Sequence, residues 1–120
     1  MNVLVLGASP NPERYAYRAA LQLHQKGHNC YLLGLKSGEI QGMPIHTVWP
    51  APEEFLPDTV TLYLGPKAQT VWAENLLNQS FRRVIFNPGT ENPAFEGALR
   101  ARGKECLQAC TLVLLATGAF

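Results

Sequence analysis

The chain has 120 residues, of which 47% are hydrophobic and 16% charged, with 10 Lys and Arg against 9 Asp and Glu. This composition suits one domain of residues 1–120 with a packed core, and it excludes a second catalytic domain and intrinsic disorder. A net charge of +1 excludes a broad nucleic-acid-binding surface, and no apolar run reaches the roughly 20 residues of a membrane span. Three cysteines are an odd number in a chain that needs no disulfides, so we expect reduced thiols and a cytoplasmic location.

Apolar runs separated by glycine-rich breaks predict five β-strands. The runs are mostly continuous rather than alternating, which is typical of strands buried on both faces of a parallel sheet. They lie at residues 3–6, 30–33, 60–64, 83–86 and 105–109, the last of mixed polarity and therefore nearer an edge. Between residues 36 and 57, Thr47 and Val48 are compatible with a minor strand and residues 53–55 with a single helical turn.

Helical patterns occupy the segments between the strands. Asn11 is expected to cap the first helix, and Gly27 is expected to end it. One further helix is predicted after Gly65 and Pro66. A second follows the segment at residues 87–93 and runs to about Arg102, and a third is predicted at residues 110–115. This alternation predicts an α/β fold, namely a Rossmann-like, doubly wound, parallel five-stranded sheet in a single three-layer domain.

Ligands of such sheets bind at the carboxyl ends of the strands, where the loops at residues 7–12, 65–67 and 87–92 meet. The first loop opens a helix, so its amides and the helix dipole predict an anion site. Ser9 and Asn11 can hydrogen-bond to a phosphate there. Arg14 and Arg18, on the first turns of the helix, can pair with its charge. An ordinary β–α turn with two solvated arginines is the alternative interpretation.

Several nucleotide-binding motifs are missing from the sequence, and their absence limits the class of nucleotide that we expect as ligand. The first loop has one glycine where the dinucleotide fingerprint needs two or three, and no Gly-Lys-Ser/Thr of a Walker loop follows. The second strand ends in Gly34-Leu35-Lys36, without the carboxylate that binds the ribose hydroxyls of NAD. Lys36 favours a phosphorylated ribose, as in coenzyme A and less strongly NADP, although a solvated surface lysine is the alternative.

Catalytic and metal-binding patterns are sparse. His24 and His28 have Gly27 between them and no third ligand, so we expect solvated histidines rather than a metal site. Cys106 and Cys110 have no histidine nearby in sequence, so buried structural thiols are expected. These patterns predict neither catalytic residues nor a metal.

Three segments carry a resemblance to a known family. They are Gly7-Ala8-Ser9-x-Asn11-Pro12 with Tyr15 and Arg18, Asn87-Pro88-Gly89-Thr90-Glu91-Asn92, and Ala109-Cys110-Thr111-Leu112-Val113. Through them the whole chain resembles the small stand-alone CoA-binding-domain proteins, which are similar to the CoA-binding Rossmann domain of the succinyl-CoA synthetase alpha subunit. The chain differs from many relatives at Gly34-Leu35, where they have a proline, and at Phe86-Asn87, where they have Trp-x-Gln.

The resemblance implies that coenzyme A or an acyl-CoA binds across the three loops. It implies pyrophosphate contacts from the first loop and helix, adenosine and 3′-phosphate contacts near Lys36, and a pantetheine path along the other loops. The residues so implied are Gly7, Ala8, Ser9, Asn11, Arg14, Tyr15, Arg18, Lys36, Gly65, Pro66, Lys67, Asn87, Pro88, Gly89 and Thr90. The synthetase keeps its catalytic histidine in a separate domain that these residues do not include, so a non-catalytic binder is implied.

Two other functions stay open at this point. One is a small enzyme that uses NAD(P) or a thiol nucleophile at Cys106 or Cys110, and the other is an interaction subunit whose nucleotide site is empty. The apolar residues 114–120 could cover the sheet or a partner, so a homodimer and a partner enzyme both stay open. We expect a small nucleotide as ligand, and neither nucleic acid nor membrane as partner.

Overall fold

The chain forms one seven-stranded sheet with helices on both faces, and the computed structural model describes all residues, Met1–Phe120. In chain order the strands are β1 (Asn2–Leu6), β2 (Asn29–Leu33), β3 (Gly38–Ile40), β4 (Met43–His46), β5 (Thr59–Leu62), β6 (Arg83–Phe86) and β7 (Glu105–Gln108). Their spatial order is β3-β4-β2-β1-β5-β6-β7, and all neighbours are parallel except β3 and β4. The predicted α/β class and doubly wound topology are confirmed.

Five α-helices and one 3₁₀ turn connect the strands or follow them. They are α1 (Tyr15–Gln25), α2 (Pro66–Gln69), the 3₁₀ turn (Thr70–Trp72), α3 (Ala73–Asn78), α4 (Pro93–Ala101) and α5 (Thr111–Ala116). The short helix predicted at the end of the chain is confirmed as α5, and Gly27, with φ +86°, follows the end of α1 as expected. No helix combines the length and the apolar character that crossing a bilayer requires.

The prediction of five strands is wrong because the connection after β2 contains a hairpin. Strands β3 and β4 turn at Gln41 and Gly42, both with positive φ, and β4 pairs with β2. Thr47 and Val48, the predicted minor strand, form a bend instead. The two short strands bury only Ile40 and Ile45, so they contain no apolar run that sequence periodicity could detect.

Each face of the sheet has its own apolar core, because successive side chains of a strand point to opposite faces. On one face Leu4 and Leu6 of β1 pack in a cluster with Leu76 of α3 and Leu99 of α4. The second face uses the alternate residues of β1, which pack against α1 and α5 through Val3, Val5, Ala16, Ala20, Leu23 and Leu115. The continuous apolar sequence of β1 therefore reflects helices on both sides of the sheet.

Two glycines bring the ends of β1, β2 and β5 together. A Cβ at Gly34 would lie 2.6 Å from the Ala8 carbonyl oxygen. A Cβ at Gly7, where φ is +102°, would lie 3.0 Å from the Tyr63 carbonyl. The Gly7 and Ala8 amides both donate to the Leu33 carbonyl oxygen, at 2.8 and 3.1 Å. No side chain fits at these two glycines, so the first loop lies directly against its neighbours.

We expect Gly34→Ala to lower the free energy of unfolding by about 1–3 kcal/mol, because the methyl group would collide with the Ala8 carbonyl and force the backbone to move. Gly97→Ala is the matched control, since a Cβ at this exposed position of α4 meets no atom within 4 Å. Helix propensity predicts that the control gains about 0.5–1 kcal/mol. Urea denaturation measures both, and equal stabilities would contradict the close approach at Gly34.

Candidate functional site

The carboxyl ends of β1, β2, β5 and β6 open onto a cleft of about 610 Å³. The strand order reverses at β1, which lies between β2 and β5, and ligands of doubly wound sheets bind at this position. The cleft is lined by Gly7, Ala8, Ser9, Pro10, Arg14, Tyr15, Ala16, Leu35, Lys36, Tyr63, Leu64, Gly65, Pro88, Gly89 and Thr90. We call the side formed by the loops after β1 and β2 the first wall, and the side formed by the loops after β5 and β6 the second wall.

The structure brings together most of the residues predicted from the sequence. Those that line the cleft are Gly7, Ala8, Ser9, Arg14, Tyr15, Lys36, Gly65, Pro88, Gly89 and Thr90. Those that do not are Asn11, Arg18, Pro66, Lys67 and Asn87. Sequence reasoning missed the lining residues Pro10, Ala16, Leu35, Tyr63 and Leu64. Contact of any of these residues with a ligand remains a prediction.

Asn11 shapes the first wall instead of capping the helix, so the predicted cap is wrong. Helix α1 starts at Tyr15, with Arg14 as its N-cap residue and no side-chain cap. The Asn11 Oδ1 accepts a hydrogen bond from the Glu13 amide at 3.0 Å, and the Ser9 Oγ accepts one from the Asn11 amide at 3.2 Å. Asparagine and serine side chains form such local turns readily, and here the turn delays the start of the helix.

Arg18 does not line the cleft but contacts a residue that does. Its Cζ is 5.7 Å from the centre of the Tyr15 ring, within the range of a cation–π contact. Tyr15 itself lines the cleft.

Gln69 holds the second wall together, and sequence reasoning missed it. Its side chain is 1% exposed and lies at the end of α2. The Gln69 Nε2 donates to the Leu64 carbonyl at 2.8 Å and to the Thr90 carbonyl at 2.7 Å. Its Oε1 accepts a hydrogen bond from the Asn92 Nδ2 at 3.0 Å. One buried amide thus joins the loop after β5 to the loop after β6.

Asn87 lies below the cleft and serves the fold, so its side chain is not available to a ligand. The residue is 1% exposed. Its Nδ2 donates to the Thr61 Oγ1 at 2.8 Å and to the Leu62 carbonyl at 2.9 Å, and its Oδ1 accepts from the Thr111 amide at 2.8 Å. Both amide hydrogens are used, and the side chain ties β6 to β5 and to the start of α5.

Charge is distributed unevenly across the cleft. The first wall carries Arg14 and Lys36, the only charged residues of the lining. The backbone amides of Ser9, Lys36 and Gly65 face no hydrogen-bond acceptor of the chain. On the second wall the Glu91 Oε1 accepts a hydrogen bond from the Gly89 amide at 2.8 Å. Gly65 belongs to the second wall, so free amides occur on both walls, and it is the two cations that make the first wall the side better suited to an anion.

Tyr63 is a lining residue whose hydroxyl is buried and has no hydrogen-bond partner. The nearby Thr61 and Thr111 hydroxyls are 2.7 Å apart and bond to each other. Burial raises the pKa of Tyr63 to about 12, more than the nearby Thr111 and Thr61 hydroxyls lower it. The phenol therefore stays protonated near neutral pH and cannot act as a base.

The lining contains no Cys, His, Asp or Glu. Nowhere in the structure do three or more His, Cys, Asp or Glu side chains come together as metal ligands would. The arrangement offers amides, two cations and hydroxyl groups, which are groups that bind and orient a ligand.

The chain is similar to one protein family and to several solved structures. A family model described as a CoA binding domain matches residues 1–116. No curated protein matches the chain. Among solved structures, one described as an uncharacterized protein is 42% identical, with a TM-score of 0.91 over 99% of this chain and 97% of that one.

Two further solved structures share the fold at lower identity. A hypothetical protein from Pyrococcus horikoshii OT3 is 24% identical, with a TM-score of 0.82 over 92% of this chain and 78% of that one. A protein from Thermus thermophilus is 22% identical, with a TM-score of 0.82 over 99% of this chain and 90% of that one. At these identities the likeness supports the fold alone.

We expect Gln69→Ala to lower the free energy of unfolding by at least about 2 kcal/mol, because the Leu64 and Thr90 carbonyls would lose a buried donor. Gln22→Ala, at an exposed position of α1, is the matched control and should not destabilise the protein. Urea denaturation gives the two free energies, and amide hydrogen exchange should show faster opening of residues 88–92 in Gln69→Ala alone. Unchanged exchange in that segment would contradict the role assigned to Gln69.

Proposed function

The chain belongs to the CoA-binding domain family, and from this premise we propose that it binds coenzyme A or an acyl-CoA in the cleft and catalyses no reaction itself. The observation that supports this most directly is the uneven charge of the cleft. Coenzyme A joins a nucleotide with three phosphate groups to a long uncharged pantetheine arm. A ligand of that kind matches a cleft with cations on one wall and none on the other.

The phosphates would lie at the first wall. Arg14 and Lys36 supply positive charge there, and the free amide of Ser9 supplies a hydrogen-bond donor. Phosphate bound by such donors gains charge-assisted hydrogen bonds, which are stronger than neutral ones. Exposed cations next to water contribute modestly, so we assign recognition to the combination rather than to one residue.

The pantetheine arm would follow the second wall, past Gly65 and Pro88. This wall contributes carbonyls, amides and the Leu64 side chain, and Glu91 bonded to Gly89 places a negative charge beside it. A phosphate at this wall would be repelled, whereas the amide groups of pantetheine would not be. The charge distribution therefore favours one direction of the ligand in the cleft.

NADP is the alternative nucleotide, and NAD fits less well. After β2 the lining continues with Leu35 and Lys36, and no carboxylate lines the cleft to accept from ribose hydroxyls. A titration series with coenzyme A, NADP and NAD separates these ligands, and we expect coenzyme A to bind most tightly.

The 3′-phosphate of coenzyme A provides a sharp test of Lys36. We expect Lys36→Gln to weaken coenzyme A binding about fivefold in isothermal titration calorimetry, as for loss of an exposed ion pair, and to leave dephospho-CoA binding unchanged. Lys26→Gln is the control, because this exposed lysine lies at the far end of α1, outside the cleft. Absence of coenzyme A binding at millimolar concentration would refute the proposed function. Equal losses for both ligands would remove only the 3′-phosphate role of Lys36.

An enzyme with a thiol nucleophile is the principal alternative from another class. Burial raises the pKa of Cys106 and raises that of Cys30 to about 11, so both thiols are protonated near neutral pH. None of the three cysteines lines the cleft. A nucleophilic cysteine needs the opposite shift, toward the thiolate.

We expect Cys106 to react slowly with iodoacetamide at pH 7, and to react faster only as the pH rises toward its raised pKa, where the thiolate forms. Peptide mass spectrometry of timed samples measures the rate, and the same protein unfolded in urea gives the reference for an accessible thiol. Labelling of native Cys106 at the unfolded rate would favour the thiol enzyme over the binding protein.

A further inference from the structure

We propose that Glu91 makes the cleft selective for free coenzyme A and for acyl-CoAs with an uncharged acyl group, and against acyl-CoAs whose acyl group ends in a carboxylate. The inference rests on the proposed function, because it requires the pantetheine arm to follow the second wall. It goes further by naming the class of acyl group that the site accepts.

The Glu91 carboxylate lies against a residue that lines the cleft. Its Oε1 accepts a hydrogen bond from the Gly89 amide at 2.8 Å, and Gly89 belongs to the lining of the second wall. Glu91 takes part in none of the three ion pairs of the structure, so no basic side chain neutralises its charge. A full negative charge therefore lies one hydrogen bond away from the wall that the arm would follow.

The turn that carries Gly89 needs a hydrogen-bond acceptor at this place but not a charge. Residues 87–90 form a turn closed by a hydrogen bond from the Thr90 amide to the Asn87 carbonyl oxygen at 3.0 Å, with Gly89 at φ +93°. The Gly89 amide is bonded outside this turn, to Glu91, and the oxygen of a neutral side-chain amide could accept the same bond. The local fold therefore does not require the negative charge, and the charge is left to act on a ligand.

Positive charge that could offset Glu91 is scarce at the second wall. Arg14 and Lys36, the charged residues of the lining, both belong to the first wall. Lys67, at the start of α2, is exposed, does not line the cleft and forms no ion pair with Glu91. The free amide of Gly65 attracts anions, but an amide carries a partial charge and a carboxylate a full one.

The acyl group of an acyl-CoA is attached to the pantetheine sulfur, at the end of the ligand that the second wall would receive. A carboxylate at the end of this group would lie near Glu91 and would be repelled by it. An acyl group that ends in a methyl group has no charge to repel. Two exposed unit charges about 6 Å apart in water interact strongly enough to change an affinity about threefold.

The test uses butyryl-CoA and succinyl-CoA, whose four-carbon acyl groups end in a methyl group and in a carboxylate. Isothermal titration calorimetry gives the ratio of the dissociation constant of succinyl-CoA to that of butyryl-CoA. We expect this ratio to fall about threefold in Glu91→Gln, because glutamine keeps an acceptor for the Gly89 amide and removes the charge. The wild-type ratio should also fall as NaCl rises from about 0.01 to about 0.15 M, since the screening length shrinks from about 30 to about 8 Å.

Two further variants separate charge at the second wall from other effects. Glu74→Gln removes an exposed carboxylate in the first turn of α3, outside the cleft, and should keep the wild-type ratio. Glu91→Ala removes both the charge and the acceptor, and should lower the ratio as Glu91→Gln does. Circular dichroism of each variant checks that the fold is retained.

The outcomes distinguish the two proposals. If the wild type binds neither coenzyme A nor its acyl derivatives, the proposed function fails and the selectivity fails with it. If these ligands bind but the ratio is the same in the wild type and in Glu91→Gln, or falls only in Glu91→Ala, the selectivity is refuted and coenzyme A binding stands. A ratio that falls in both Glu91 variants, with Glu74→Gln unchanged, supports the assignment.

Discussion

At Gly34 the loop after β2 passes so near the Ala8 carbonyl that a single added methyl group would collide with it and push the two loops apart. The first wall of the cleft depends on this approach, because Arg14 and Lys36 belong to different loops and face one cleft only if those loops touch. The second wall is held by a different means, the buried amide of Gln69 between two loop carbonyls. The first wall therefore depends on the absence of a side chain at Gly34, and the second wall depends on the side chain of Gln69.

The sequence predicted some elements of the fold and not others, for physical reasons. The long parallel strands were predictable, because helices on both faces require continuous apolar runs such as that of β1. The β3–β4 hairpin was not, since strands that bury one residue each lack any periodic signal. The hairpin joins β2 over two residue pairs, Leu32 with Ile45 and Leu33 with His46.

The loops after the strands were predictable as a site, but the roles of individual residues within them were not. An asparagine after a strand has the same sequence signature whether it binds a ligand or clamps the backbone, and Asn87 clamps the backbone. Gln69 lies between Ala68 and the buried Trp72 in the sequence. Its position beside this apolar helix face was the one sequence signal that its side chain is buried. Roles of this kind depend on distances between loops, and a local sequence pattern carries no information about those distances.

The hydrogen bond from the Gly89 amide to Glu91 has a consequence for the energetics of any ligand that reaches the second wall. This amide is already engaged, so a ligand can use it only by displacing the carboxylate, and the net gain is the difference between two similar hydrogen bonds. Binding there is an exchange rather than an addition. Contact with this amide would therefore add little to the affinity of a ligand that reaches the second wall.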